Sequence, residues 1–149
     1  MFKPARILVP TDFSKFSDTA LKSAIDIATQ FNSKIYLLHV IDKGLQQSIS
    51  DYSMSPEVMV RFKSDSFKVS NEQLEQEVNR ISKSKKFEVS FSIKEGIPYE
   101  VILEEQQANK IDLIVIASHG RTGMMKHLIG SVAEKVMRGA KCPVLLVKA

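Results

Sequence analysis

The chain alternates two kinds of segment, and that order constrains its fold more than any other feature. Ala5 to Val9, Lys34 to Ile41 and Asp112 to Ala117 are short apolar runs rich in Ile, Leu and Val. Runs of this kind predict strands covered on both faces. Between the first two, Ala20, Leu21, Ala24, Ile25, Ala28 and Phe31 recur at helical spacing, with Lys22 and Asp26 on the other side and Ser17 placed as the cap. The polar, serine-rich stretch Lys43 to Ser55 reads as a surface loop, and Pro56 opens a helix to about Ser82 with a patchy apolar face of Val58, Phe62, Leu74, Val78 and Ile81. From Phe87 to Ile93 apolar residues alternate strictly with Glu88, Ser90 and Ser92, the pattern of an edge strand with one wet face. Gly96 makes a turn, Pro98 starts a short helix and Asn109 breaks it. After the strand ending at Ala117 comes a loop with Gly120, Gly123 and Gly130. A last helix, from near Ser131 to near Gly139, leads through Pro143 into the strand Val144 to Val147.

Strands alternating with helices require parallel pairing through right-handed crossovers, so the expected fold is a single-domain α/β open parallel five-stranded sheet over 1–149 with helices on both faces. A chain of 149 residues, 44% hydrophobic and 26% charged, can bury one core without disulfides or metal, which excludes disordered and fibrous classes. The net charge of +4 is too small to imply a nucleic-acid partner. Lone Cys142 fits a reducing compartment, and no apolar stretch approaches the roughly 20 residues that cross a bilayer. A cytoplasmic protein with neither membrane nor nucleic-acid partner is expected. In such sheets ligands bind beyond the carboxyl ends of the strands where strand order reverses, which directs attention to the loops after strands one and four.

Those loops carry the candidate chemistry. Gly130-Ser131 stands where the chain enters the last helix, and a helix start offers unpaired amides and a positive dipole end to a phosphate. Arg121, Lys126 and His127 in the same loop add positive charge. The same serine is equally explained as a capping box with Glu134, with no ligand at all. Asp12 follows strand one directly, where a carboxylate suits ribose hydroxyls or a metal, or serves only as a turn residue. Gly130→Val is expected to weaken phosphate binding and leave the fold intact.

Other chemistries are less well supported. There is no G-x4-G-K-[S/T] loop and no G-x-G-x-x-G after the first strand. Adenylate transfer would want a glycine-rich turn where this chain has Thr11-Asp12-Phe13-Ser14. A receiver would want a phosphorylatable aspartate where it has Lys94-Glu95. His39, His119 and His127 lack the spacing of a zinc site, and Cys142 reads as a small buried hydrophobe. Gly120 to Gly123 spells the G-x-x-G of an RNA-binding loop, but in the wrong order of elements. Lys83, Lys85 and Lys86 read as solvated residues at a helix end.

Taken in order, Ile7 to Asp12, His39-Val40, Gly96 to Pro98 and Cys142 to Val147 match the signatures of one family: the chain resembles the universal stress proteins over essentially its whole length. The nucleotide-binding branch of that family carries G-x2-G-x9-G-[S/T], which falls on Ala117, Gly120 and Gly130-Ser131. The resemblance implies strand order 3-2-1-4-5, of the adenine nucleotide α-hydrolase-like type, and binding of ATP with Mg or Mn. It implies that Asp12, beside Thr11, holds the ribose or a divalent ion, and that Pro10 and Val40 flank adenine. Gly120, Gly130, Ser131 and Val132 would wrap the phosphates, His119 and Arg121 would lie along the same loop, and Ile116 and Ala117 would form the floor. Homodimerisation through Val144 to Val147 and a nucleotide-responsive role in stress tolerance, with little or no turnover, are also implied. Alternatives are a nucleotide-free dimeric adaptor and an ATPase using Asp12. Ala117 departs from the motif's first glycine, which matters if the backbone there is left-handed, at a cost of about 1–2 kcal/mol for alanine, or if the nucleotide presses on Cα.

Overall fold

The computed structural model describes residues 1–44, 55–83, 86–120 and 128–148. In chain order they form β1 (Arg6–Pro10), α1 (Lys15–Phe31), β2 (Lys34–Asp42), α2 (Pro56–Ser82), β3 (Val89–Gly96), α3 (Pro98–Ala108), β4 (Leu113–Ala117), α4 (Ser131–Gly139) and β5 (Val144–Val147). The five strands make one parallel sheet in the order β3-β2-β1-β4-β5. Strand order reverses between β1 and β4, so the residues that directly follow these two strands come to the same edge of the sheet.

Side chains alternate across the sheet and bury two layers. Ile7, Val9, Leu113, Val115 and Ala117 face α1 and α2, packing with Ala20, Leu21, Ala24, Ala28, Leu74 and Ile81. Leu8, Leu38, Ile114 and Ile116 face α3 and α4, packing with Val101, Ile102, Ala133 and Val136. β4 is buried at every residue and β1 at its three central ones, as continuous apolar runs require. At the amino ends of these strands the Asp112 carboxylate accepts the amides of Ala5 (3.1 and 3.0 Å) and Arg6 (3.1 Å), fixing their relative height.

Two local expectations need correction. The cap of α1 is Ser14, which accepts the Ser17 amide at 3.2 Å; Ser17 is buried inside the first turn, its hydroxyl donating to the Ser14 carbonyl at 2.9 Å. Only Lys15 and Phe16 lie between the two serines, and the expectation took the one nearer the apolar stripe. β3 is an edge strand as predicted, but it runs to Gly96 because its pairing continues to Asp42 of β2, so Gly96 ends the strand and does not form a free turn. A side chain at 96 would meet Val101 at 2.7 Å, so glycine lets α3 pack close. α3 ends at Asn109 as expected: Asn109 is its cap and donates its side-chain amide to the Glu105 carbonyl (3.2 Å), and Lys110 then makes the turn at φ 51°.

Candidate functional site

Beyond β1 the backbone turns within four residues. The Thr11 amide donates to the Leu38 carbonyl at 2.8 Å, extending the pairing with β2 past Pro10. The Phe13 amide then donates to Thr11 Oγ1 (3.1 Å) and the Ser14 amide to Asp12 Oδ1 (3.0 Å), a side-chain turn that leads into α1. Phe13 sits at φ 63°, a left-handed conformation in which a bulky residue costs about 1–3 kcal/mol. His39 of β2 lies against this turn. Its Nδ1 is 2.8 Å from the Thr11 carbonyl oxygen, an acceptor, so the ring donates there. The Phe13 ring packs on the imidazole with centroids 4.5 Å apart and planes at 37°.

The loop after β4 meets this turn from the other side. A methyl group built on Gly120 would lie 2.8 Å from Asp12 Oδ2, so the backbone can run beside the carboxylate only where position 120 lacks a side chain. The Ser118 amide donates to the Val147 carbonyl (2.9 Å), and the Ser118 carbonyl accepts the Gly130 amide (2.6 Å). That bond closes the loop and sets Gly130 at the start of α4. Gly130 has φ −60° and ψ 152°, an ordinary extended conformation. Glycine is favoured there by contact: a Cβ would stand 3.2 Å from the Ser118 carbonyl oxygen and 3.7 Å from the His119 Cα. His119 places Nδ1 2.9 Å from Ser118 Oγ and its ring 5.9 Å from that of Phe16. His39 of β2 therefore braces the turn that carries Asp12, while His119, just past β4, lies between Ser118 and Phe16 of α1.

Gly130 is the N-cap of α4, and among the described residues no side chain caps this helix. Ser131 is the first helical residue, so the capping box with Glu134 does not form; Glu134 pairs instead with Arg138 at 2.9 Å. A nine-residue helix thus presents its first-turn amides, with the positive end of its dipole, beside the Ser118–Gly130 closure.

Residues 4–148 match the profile of the Universal stress protein family. The chain belongs to this family. Universal stress protein MJ0531 of Methanocaldococcus jannaschii is 34% identical over 96% of this chain and 81% of its own length. MJ0577 of the same organism is likewise 34% identical, over 96% of this chain and 94% of its own. A solved structure of MJ0577 superposes with a TM-score of 0.85 over 99% of this chain and 98% of that one, at 30% identity. Two more distant structures, each with a TM-score of 0.64, share the fold: a universal stress protein in complex with cAMP (23% identical, 99% and 98% covered) and one from Archaeoglobus fulgidus in complex with dAMP (20%, 99% and 100%).

Against the universal stress protein motif, the predicted residues separate by face. Val40, Ile116 and Val132 lie on the α3/α4 side, as does Pro10, in register with Leu38. Thr11, Asp12, Gly120, Gly130 and Ser131 follow at the carboxyl edge, and Arg121, with Lys126 and His127, lies outside the described residues. Ala117 closes β4 with no positive φ, and its methyl group packs with the core on the α1/α2 side. The backbone here does not demand the motif's first glycine. Asp12 and the amino end of α4 are brought to one edge, while Phe13, Ser14 and Ser118 hold them and were not singled out from sequence. Phe13 in particular has no signature, because a left-handed residue is sought among Gly, Asn and Asp.

Burial, and then the nearby Asp112 charge, push the Cys142 thiol above its usual range, which favours the unreactive thiol over the thiolate. Among the described residues no three His, Cys, Asp or Glu side chains come together as a metal site, and no helix is long and apolar enough to cross a membrane.

Proposed function

We propose that this universal stress protein binds ATP across the carboxyl edge of β1 and β4 and acts as a nucleotide-responsive regulator of stress tolerance in the cytoplasm, with little or no turnover. The observation that carries the reading is the approach of the Asp12 carboxylate to the Gly120 backbone beside the start of α4, whose N-cap is Gly130. A carboxylate suits the two hydroxyls of a ribose, and amides at a helix start suit phosphate oxygens. The glycines at 120 and 130 leave the backbone open where a Cβ would intrude. In this reading Pro10 and Val40 flank the adenine, Ile116 and Ala117 form the floor, and Gly120, Gly130, Ser131 and Val132 wrap the phosphates. Thr11 and His119 support the loops on either side, and Arg121 adds charge to the phosphate loop. A magnesium or manganese ion would arrive with the triphosphate, and Asp12 is the carboxylate placed to meet it. The cAMP and dAMP complexes of distant relatives support an adenine nucleotide as the ligand class.

The reading includes a homodimer through β5, supported by the position of that strand at the sheet edge and by the 39% exposure of Leu145 on it. Native mass spectrometry of freshly purified protein, followed by calorimetric titration with ATP and magnesium, tests the proposal. Bound adenine nucleotide, or saturable binding on titration, is expected. A bare dimer that gives no heat with ATP would favour the adaptor reading, and phosphate release abolished by Asp12→Asn would favour an ATPase.

A further inference from the structure

Asp12 lies between two residues that His39 touches. On one side the imidazole donates Nδ1–H to the Thr11 carbonyl at 2.8 Å; on the other the Phe13 ring packs on it at 4.5 Å. The turn so held is one the chain would not otherwise prefer, since Phe13 has φ 63°. Strain of this kind persists only where neighbouring groups over-determine it. One Asp12 oxygen is fixed by the Ser14 amide and the other faces the Gly120 backbone, so a modest rotation of the turn would move the carboxylate off the crevice. We propose that His39 is a positioning residue for Asp12: through Thr11 and Phe13 it holds the left-handed turn that aims the carboxylate at the hydroxyls of a bound ribose. The role belongs to β2, a strand whose end the motif reading assigns only to the adenine through Val40.

The inference rests on the nucleotide reading above, and the test separates the two. Dissociation constants are measured for ATP and for 2′,3′-dideoxy-ATP, and their ratio reports how well Asp12 reads the hydroxyls. Wild type is expected to favour ATP about tenfold or more, the range for hydrogen bonds to a charged group. His39→Phe keeps a ring against Phe13 but loses the donor; its ratio is expected to fall to within about twofold of unity. His39→Asn carries an amide donor near the position of Nδ1 and is expected to restore most of the preference. A merely structural histidine would lower both affinities together and leave the ratio unchanged. His39→Phe that folds, as judged by its circular dichroism, and keeps the wild-type ratio would overturn the inference while leaving the nucleotide reading standing. An Asn variant that loses the preference as fully as the Phe variant, or a wild type that binds both nucleotides equally, would also overturn it. A wild type that binds neither would overturn both. A measurement on the unmodified protein guards against a variant that fails to fold: nitrogen chemical shifts of the His39 ring must report the Nδ1-protonated form, and an Nε2-protonated ring would contradict the proposal.

Discussion

Ala117 shows how a departure from a motif can be neutral at the scale of one residue. Its methyl group packs in the α1/α2 core and its backbone is not left-handed, so the alanine strains nothing in the protein itself. Ala117→Gly should therefore change ATP affinity by less than about threefold, while lowering stability by about 1–2 kcal/mol through chain entropy and the lost methyl contact. Calorimetry and a denaturant titration measure the two effects separately, and a large gain in affinity would mean that the nucleotide presses on this Cα. Cys142 gives a second outcome at this scale. Its folded thiol binds its proton more tightly than an unfolded one, so above the ordinary thiol range the unfolded state loses protons first and stability falls as pH rises. Labelling with a disulfide reagent at mildly alkaline pH should accordingly be slower in folded than in denatured protein.

At the scale of an element, the helix starts decide most. Ser14 caps α1 next to the Asp12 turn, and Ser14→Ala should cost about 1 kcal/mol in thermal or chemical denaturation. α4 has glycine at its N-cap, and its start is held by the 2.6 Å bond from the Gly130 amide to the Ser118 carbonyl. The sequence alone expects Gly130→Val to spare the fold; the 3.2 Å approach of a Cβ to that carbonyl means that the substitution also pushes the closure apart. Gly130→Ala, the gentler change, should weaken ATP binding about tenfold with a smaller loss of stability. The elements themselves were largely legible, because apolar runs and helical spacing are local signals: α2, α4 and β5 begin and end where the pattern places them. The braces of the site were not. Contacts such as His39 with Phe13 join residues far apart in sequence, and Ser14 and Ser17 compete for one cap with equal local merit.

At the scale of the whole molecule, parallel order β3-β2-β1-β4-β5 makes one reversal, and that single feature brings residues 12, 120 and 130 to one crevice from distant parts of the chain. It also leaves β5 at an edge, with Leu145 exposed. If pairing of two β5 strands forms the dimer, Leu145→Arg should shift the sedimentation coefficient from dimer to monomer without changing the circular dichroism. The crevice itself is tested most directly by a crystal structure of the protein grown with ATP and magnesium. The expected map has the ribose beside Asp12, the base between Pro10 and Val40, and the phosphates on the amides of residues 130 to 132. Nucleotide density elsewhere on the molecule, or none in a crevice already filled by the protein's own side chains, would contradict the assignment.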